Sequence, residues 1–508
     1  MRLKWLSRSL ALPLLACSLG TARADVASPD AIKLINAVKN SDRAAVRALV
    51  QKHVNVNASE PDGTTPLHWA VHADDVETAN VLIGAGADVK AANRYGVTPL
   101  PLACLNGNAA MIELLLKSGA DPNGAMAEGE TALMTAARTG KLDAVDVLLA
   151  HGANVNAKES WRGQTALMWA AAEGHAAVAE SLAKHGADLS ARSSAGFTAM
   201  AFAAREGKID VVKALLRAGV DVNETTKGFG MTVNKGVAGQ ARIPGYILGF
   251  KPQGPTSALG LAVGSAHFEL ASFLLDSGAD ANSATQGWTA LHEVTWVRRS
   301  GQGDNNPTPE GSGNMDSLQF VRKLVAHGAN VNAQMTQHAA SMGYVEFNDI
   351  GATPFLLAAR TADVDLMRLL LEFGADPLLP TAENMTPLMA AAGVGSKYPG
   401  EDPGTDSEAL EAVKMIWELG GDVNTVCTKG DTAMHGAAYK FLPSVVRFLA
   451  EKGAKIEIYN QKNNIGWTPL MIAEGVQRGN HIRRSDETAA VIREVMNGAT
   501  GGNIQQPR

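Results

Sequence analysis

Two histidines and two aspartates lie close together near the start of the chain and could, by residue type, hold a metal ion. His68 and His72 are four residues apart, a spacing that puts both on one face of a helix, and Asp74 and Asp75 follow. Histidine and carboxylate side chains are common zinc ligands. His68, however, is the fourth residue of a Thr-Pro-Leu-His turn, from which its side chain reaches back to the turn. The sequence therefore predicts neither a metal ion nor a cofactor.

Catalytic chemistry has little support in the sequence. The motifs GxSxG, HExxH, CxxC and GxxxxGK[ST], which build a nucleophile, a zinc site or a phosphate loop, are all absent. The glycines of residues 228–254 are spaced as in a loop and do not open a helix. The paired acids Glu401 and Asp402 lie in a Gly- and Pro-rich stretch, with nothing beside them in sequence to raise a pKa. We therefore expect a protein that is not an enzyme.

The elements that position these residues are best seen between Gly129 and Lys158. Thr131 is typical of an N-cap, and the short helix after it is predicted to end at Gly140, since glycine adopts a left-handed backbone at low cost. A second helix is predicted to end at Gly152. Its apolar residues recur at helical spacing: Leu142, Val145, Leu148 and Leu149. Such a helix pair cannot bury its apolar face alone and must stack on copies of itself.

Copies of this unit fill most of the chain. The Thr-Pro/Ala-Leu signal recurs at Thr65, Thr98, Thr131, Thr165, Thr198, Ser257, Thr289, Thr353, Thr386, Thr432 and Thr468. The first five are 33 or 34 residues apart, the period of one repeat unit. With this period, the segments TPLHWA, TPLPLA, TALMWA and TAMHGA resemble ankyrin repeats. The resemblance implies an all-α repeat solenoid of about twelve repeats, in which helix–turn–helix pairs are joined by β-turn or hairpin fingers.

The resemblance also implies where a partner would bind. In this family the fingers and the inner helices, the first helix of each pair, form the partner-binding surface, and Trp, Tyr and Arg commonly anchor interfaces. The partner is expected to be a protein. The candidate partner-binding residues are Trp69, His72, Arg94, Tyr95, Trp161, Arg162, Phe229, Arg242, Tyr246, Phe250, Lys251 and Tyr344.

Aromatic residues near the fingertips have two interpretations. Tyr95 and Trp161 precede Gly96 and Arg162-Gly163, and we expect both rings to be exposed. Phe197, Trp288 and Trp467 stand directly before the motif threonine. Each of these three either packs between adjacent repeats or contributes to binding, and the sequence leaves both options open.

The N-terminus predicts export. Basic residues at positions 2, 4 and 8, an apolar run from Leu10 to Leu19 and the small-x-small site Ala22-Arg23-Ala24 are typical of a secretory signal peptide cut after Ala24. The alternative is a bacterial lipoprotein, lipidated at Cys17. The apolar run is too short to span a bilayer comfortably. We therefore expect a periplasmic or secreted protein.

The charge balance disfavours nucleic acid as a partner. The formal net charge is −6, and removing residues 1–24, which hold four basic and no acidic residues, makes it −10. Clustered Lys and Arg would be needed to bind a phosphate backbone.

The repeats divide the chain into regular and interrupted parts. The expected order is a signal peptide (1–24), a capping repeat (25–63), regular repeats (64–223), an insertion (224–256), repeats with further insertions at 299–315, 333–352 and 394–406 (257–497), and a disordered tail (498–508). The insertions 299–315 and 394–406 lengthen helix–helix links and have the composition of surface loops.

The insertion 224–256 is the strongest candidate for a specific partner contact. Between Thr225 and Thr256 it carries four basic residues, no acidic residue and three aromatic rings. If it binds, its partner should be acidic. The alternative is a tolerated loop that packs over neighbouring fingers, because long surface insertions cost little free energy. A second functional hypothesis is an enzyme or small-ligand site under the loops 224–256 and 333–352, and a third is a lipid-anchored envelope scaffold.

Overall fold

The computed structural model describes residues 28–126, 128–227, 254–299, 308–339, 348–396, 402–478 and 481–499. The chain divides into two compact units, the first ending at Ala127 and the second beginning at Glu128. Several sequence expectations fall outside the described residues: the signal peptide, most of the insertion 224–256, residues 340–347 and the tail beyond 499.

The first unit is a stack of helix pairs. Its inner helices α1, α3 and α5 pack in sequence order, and each also packs against the outer helix that follows it. The bounds are α1 (Pro29–Lys39), α2 (Arg43–Gln51), α3 (Pro66–His72), α4 (Val76–Gly84), α5 (Pro99–Asn106) and α6 (Ala109–Lys117).

The second unit continues the same pattern. Its inner helices are α7 (Ala132–Thr139), α9 (Ala166–Glu173), α11 (Ala199–Arg205), α13 (Ala258–Gly264), α15 (Ala290–Arg298), α17 (Pro354–Arg360), α19 (Pro387–Ala391), α21 (Ala433–Lys440) and α24 (Pro469–Gly475). Its outer helices are α8 (Leu142–Ala150), α10 (Ala176–Lys184), α12 (Ile209–Arg217), α14 (Phe268–Asp276), α16 (Ser317–Ala326), α18 (Val364–Glu372), α20 (Asp406–Glu418), α22 (Pro443–Glu451) and α25 (Asp486–Ala499). A one-turn helix, α23 (Ile456–Tyr459), lies between α22 and α24, and a hairpin of β1 (Val476–Arg478) and β2 (His481–Arg483) joins α24 to α25.

The local signals in the sequence act as predicted. Thr131 Oγ1 accepts from the N–H of Met134 at 3.4 Å, which satisfies one of the unpaired donors at the start of α7. Gly140 ends α7 with φ 73°, in the left-handed region. Leu148 on α8 is fully buried. The all-α repeat solenoid predicted from the motifs is therefore the observed fold.

The motif histidines tie each turn to its helix and to the next repeat. In the second unit, Nδ1 of His292 accepts from the Thr289 N–H at 3.2 Å, and its Nε2 bonds the carbonyl of Ala352 at 3.1 Å. Burial lowers the pKa of His292 to about 4, so the imidazole is neutral. His68 and His435 make the corresponding turn contacts.

Asparagine side chains link successive repeats at the ends of the outer helices. Asn156 Nδ2 donates to the Gly186 carbonyl at 3.1 Å, and its Oδ1 accepts from the Asp188 N–H at 2.7 Å. The same pair of bonds recurs at Asn57, Asn223, Asn282, Asn332 and Asn424. Because each bond reaches the following repeat, the ladder fixes the spacing between neighbours.

The lengthened helix–helix links bond to neighbouring repeats, which their loop-like composition did not predict. In the link that precedes α16, the Ser312 N–H donates to His267 Nδ1 at 3.0 Å, and the Asn314 N–H donates to Glu269 Oε1 at 2.7 Å. In the link that precedes α20, the Pro403 carbonyl accepts from Lys440 Nζ at 2.5 Å. The described parts of these links are therefore tied into the stack.

Candidate functional site

Trp69 and His72 form a ring pair on the inner helix α3 of the first unit, with ring centroids 5.9 Å apart. Trp69 Nε1 donates to Glu60 Oε2 at 2.7 Å, and the ammonium of Lys39 lies 4.3 Å from the ring centroid. Lys39 and Glu60 are also ion-paired at 2.5 Å. The tryptophan is therefore held in one orientation with its ring half-buried, while His72 is exposed.

The histidine–aspartate group is used for structure and is not arranged as a metal site. His68 Nδ1 is 2.8 Å from Thr65 Oγ1, and its Nε2 lies 3.0 Å from the Val97 carbonyl. Asp75 accepts from Arg43 Nη2 at 2.8 Å and caps α4. In the described parts of the chain, no group of three or more His, Cys, Asp or Glu side chains is placed to hold a metal ion.

The fingertip of the first unit presents an arginine–tyrosine pair. Arg94 Nη2 donates to the Tyr95 hydroxyl at 2.5 Å, and its guanidinium carbon lies 4.8 Å from the ring centroid. Asn93 Oδ1 accepts from the N–H groups of Tyr95 and Val97, each at 3.0 Å, which fixes the turn beneath the pair. Tyr95 is 44% exposed, as its position before a glycine predicts.

The second unit presents a similar pair with the two residue types in reverse order. Trp161 is 68% exposed, and the guanidinium of Arg162 lies 4.1 Å from its ring centroid. The turn is fixed by the buried carboxylate of Glu159, which accepts from the N–H groups of Trp161, Arg162 and Gln164 at 2.6–2.9 Å. An exposed aromatic ring on a turn held this firmly loses little conformational entropy when it is covered.

The inner helices behind this fingertip carry aromatic rings paired with arginines. Arg138 on α7 lies 4.9 Å from the ring of Trp169 on α9, and it is also 3.3 Å from Glu130. Arg205 lies 5.3 Å from the ring of Phe202 on the same helix. Such cation–π contacts stabilise by about 0.5–1 kcal/mol where they are exposed. These two arginines were not among the predicted binding residues. Their recurrence at the eighth motif position is a signal that could have found them.

The aromatic residues directly before the motif threonine differ in exposure. Phe197 and Trp288 are buried, at 8% and 6% exposure, while Trp467 is half-buried. The packing interpretation therefore applies to Phe197 and Trp288.

Six of the predicted binding residues lie outside the described residues, so the structure places only the pairs around Trp69, Tyr95 and Trp161. These six are Phe229, Arg242, Tyr246, Phe250, Lys251 and Tyr344.

The structure does define where the insertion 224–256 leaves and rejoins its repeat. The Thr226 N–H donates to the Thr256 carbonyl at 2.9 Å, and the Thr256 N–H donates to Thr226 Oγ1 at 3.0 Å. The Lys227 N–H bonds the carbonyl of Gly196 in the preceding finger. The two ends of the insertion are therefore closed as in an ordinary finger.

Polar contacts between residues far apart in the sequence of the second unit were not predicted. Arg298 at the end of α15 binds Asp363 with Nε at 2.6 Å and Nη2 at 2.9 Å. Arg299 binds Glu408, 109 residues away, at 2.9 Å. Lys440 is 4% exposed, and burial lowers its pKa to about 8. These groups hold the long links in place.

A small pocket lies between α13 and α15, beside Gly254 and Thr256 at the end of the first finger insertion. Its cavity volume is about 10 Å³. A space of this size takes one water molecule or one small ion and excludes an organic ligand. This pocket is therefore too small for an organic ligand.

The repeated inner and outer helices, the fingers and the asparagine ladder define a helical-repeat protein. Comparison with known families agrees: a family model described as ankyrin repeats in three copies matches residues 24–93, 77–159, 124–193 and 156–226, and a single ankyrin-repeat model matches residues 350–382. The chain belongs to the ankyrin repeat family, whose repeats imply protein partners. Over the part of the chain described, no helix combines the length and apolar character needed to cross a membrane.

Proposed function

We propose that this chain is a non-catalytic scaffold that binds another protein through its fingertips and inner helices. The observation that carries the proposal is the Trp161–Arg162 pair. A large aromatic ring, 68% exposed, is stacked under a guanidinium on a turn that Glu159 holds fixed. Tryptophan and arginine are enriched among the residues that dominate binding energy, and a rigid presentation lowers the entropic cost of association.

The inner helices extend the same chemistry beyond the fingertip. Trp169 with Arg138 offers a half-buried aromatic face that is already paired with a cation. Phe202 is buried, so beside it only the half-buried Arg205 is available to a partner. A partner with acidic groups around an apolar centre would complement these residues. The formal net charge of −6 argues against nucleic acid, which rewards clustered basic residues.

The proposed compartment is the bacterial-type periplasm or the exterior of the cell. Its support is the order of a basic, an apolar and a small-x-small segment within residues 1–24. Intact-mass analysis of exported protein tests it, with a mature start at Asp25 expected. A start at a lipid-modified Cys17 would instead make the chain an anchored scaffold of the envelope.

The binding proposal is tested by capture and titration. Tagged protein is used to recover partners from an envelope extract, and each recovered protein is then purified and titrated against wild type and variants. Trp161→Ala should weaken binding roughly tenfold or more. Leu419→Ala, which removes an apolar side chain of 43% exposure from the end of an outer helix, is the matched control and should bind as wild type does.

A second arm of the experiment tests the insertion. Residues 228–253 are replaced by Gly-Asn, which leaves the paired ends at Thr226 and Thr256 intact. If the insertion supplies the specific contact, this variant should fold normally and lose partners that wild type captures. If Trp161→Ala, Tyr95→Ala and the shortened insertion all bind as wild type does, the proposed surface is wrong.

A further inference from the structure

The pocket between α13 and α15 contains a buried carboxylate. Glu293 occupies the fifth motif position on α15, where the aligned repeats place Trp, Leu, Thr, Phe, Ala, Gly or Ile, and it is the acidic residue of that series. Its side chain is 92% buried, since its relative exposure is 8%. Around it, the pocket is lined mainly by hydroxyl and amide side chains: Thr256, Ser257, Ser283, Thr285, Gln286 and Thr289.

One oxygen of this carboxylate has no hydrogen-bond partner. Oε1 accepts from Trp288 Nε1 at 3.2 Å, whereas Oε2 is buried and unpartnered. Gly260 on α13 faces the same space. A Cβ at this position would lie 3.2 Å from Thr256 Cγ2 and 3.6 Å from both Glu293 Oε2 and Ser257 Oγ. The unpartnered oxygen therefore faces a cavity with a hydroxyl on another side.

No cation of the protein neutralises this carboxylate within the described residues. The helix α13 and the finger 283–288 carry no charged side chain. The charged or titratable groups on the remaining elements packed around Glu293 have partners of their own: His292, Arg298, Arg322, Lys323 and Arg360. With no cation of the described residues beside it, the carboxylate is stabilised by taking up a proton or a cation.

We propose that this pocket binds one small inorganic cation of the size and hardness of Na⁺. Glu293 supplies the charged ligand, and the hydroxyl and amide oxygens of the lining supply the neutral ones, because hard cations prefer oxygen ligands. A cavity of about 10 Å³ has room for one small ion but not for a side chain of a partner protein.

The cation competes with a proton for the same oxygen. Burial raises the pKa of Glu293 to about 8, so the empty site is mostly protonated at neutral pH. Binding of the cation must displace that proton, so the apparent affinity should fall about tenfold for each pH unit below the pKa.

The test compares thermal unfolding of the full chain in NaCl and in choline chloride at equal ionic strength, since choline is too large for the cavity. At pH about 9, where the carboxylate is ionised, Na⁺ should raise the Tm by about 2 °C when present well above its Kd. At pH about 6.5 the difference should nearly vanish, because the proton occupies the site. The emission of Trp288, which contacts the carboxylate, gives a second readout through the change in total tryptophan fluorescence.

Two variants test separately the charge of Glu293 and the volume of the cavity. Glu293→Gln keeps the shape and removes the charge, while Gly260→Ala keeps the charge and fills the cavity without leaving a helical conformation. Both should lose the Na⁺ response, and Glu418→Gln, on the exposed end of α20, should keep it. An equal Na⁺ response in wild type and Glu293→Gln would overturn the proposal. So would a wild-type Tm that falls as pH rises from about 4.5 towards 8 and shows no difference between Na⁺ and choline at pH about 9, because a proton alone would then occupy the site.

Discussion

One position of the repeat motif holds opposite chemistry in two regions of the second unit. In the regular region, residues 129–227, the fifth motif residue Trp169 lies beside the guanidinium of Arg138. In the inserted region, residues 254–499, the fifth residue of one repeat is Glu293, a buried carboxylate that contacts Trp288 and, among the described residues, no cation. The same motif position thus contributes to an aromatic surface in one region and to a polar pocket in the other.

The difference follows from the lengths of the fingers and links. In the regular region, side chains contact neighbours one repeat away, as Asn156 does with Gly186. In the inserted region, Arg299 reaches Glu408 two repeats further on, and the long link before α16 bonds His267 through Ser312. Such contacts bury polar groups that a regular stack leaves in water. An insertion can therefore change which side chains come into contact between repeats, while the helix pairs of those repeats keep their fold.

The largest expected effect tests whether buried ion pairs support the inserted region. Arg298→Met should reduce the free energy of unfolding by about 3–5 kcal/mol, because Asp363, whose side chain is 2% exposed, would stay buried without its cation. The measurement is urea unfolding. Arg322→Met is the matched control: it breaks an exposed pair with Glu372, and we expect a loss of about 1 kcal/mol or less. Equal losses of unfolding free energy in the two variants would show that burial does not increase the contribution of the ion pair.

In the regular region the corresponding test removes apolar packing. Leu148→Ala should cost about 2–5 kcal/mol, because the side chain is fully buried on α8. Repeats interact mainly with their neighbours, so hydrogen exchange should rise first around residues 129–190. Leu378→Ala, at 41% exposure, serves as control and should change little. A uniform loss of protection through the second unit would argue against a linear stack.

The sequence predicted the features that depend on neighbouring residues. Thr131 as a cap, Gly140 as a helix end and the reach of His68 to its turn all follow from spacings of a few residues, and all are observed. The exposure of Tyr95 and Trp161 followed in the same way from the glycines beside them.

The features that depend on distant residues could not be predicted. The hairpin of β1 and β2 replaces a short helix–helix link, and nothing in the repeat period indicates that Val476 pairs with Arg483. The contact between Ser312 and His267 joins a loop to a residue 45 positions earlier. The Glu293 pocket likewise requires a glycine on α13 to face a carboxylate on α15. Periodicity identifies the repeats but not the side-chain partners that insertions bring together.

The next effect is a dependence on pH that has opposite sign for two buried groups of the inserted region. Burial lowers the pKa of His435 to about 4, so the unfolded state binds its proton more readily and stability should be lost as pH falls from about 6.5 towards 4. Burial raises the pKa of Glu293 to about 8, so in choline its contribution should be lost as pH rises from about 4.5 towards 8.

The acid side of this dependence has a specific structural cause. His435 Nδ1 accepts from the Thr432 N–H at 3.2 Å, and protonation of that nitrogen removes the acceptor. When the pH is lowered to about 4, the free energy of unfolding of His435→Gln should therefore fall by about 2–3 kcal/mol less than that of wild type, as measured by unfolding at several pH values. His327→Gln, at an exposed position, is the control for loss of an imidazole. If both variants lose as much stability at acid pH as wild type does, the buried motif histidine is not the cause of that loss.

The smallest expected effect on stability is at the fingertip of the regular region, and there it should be separated from the effect on binding. Trp161 is 68% exposed, so Trp161→Ala should change the free energy of unfolding by less than about 0.5 kcal/mol. Glu159→Gln affects the same fingertip differently: it weakens the carboxylate that accepts from three backbone N–H groups and loosens the turn while the ring stays in place. If rigid presentation matters, both variants should weaken capture of the partner, Trp161→Ala the more strongly, with equilibrium titration as the measurement. Weaker binding in Trp161→Ala alone would mean that the ring matters and its fixed turn does not. A large loss of stability in Trp161→Ala would instead show that the ring packs against the protein and was never free to meet a partner.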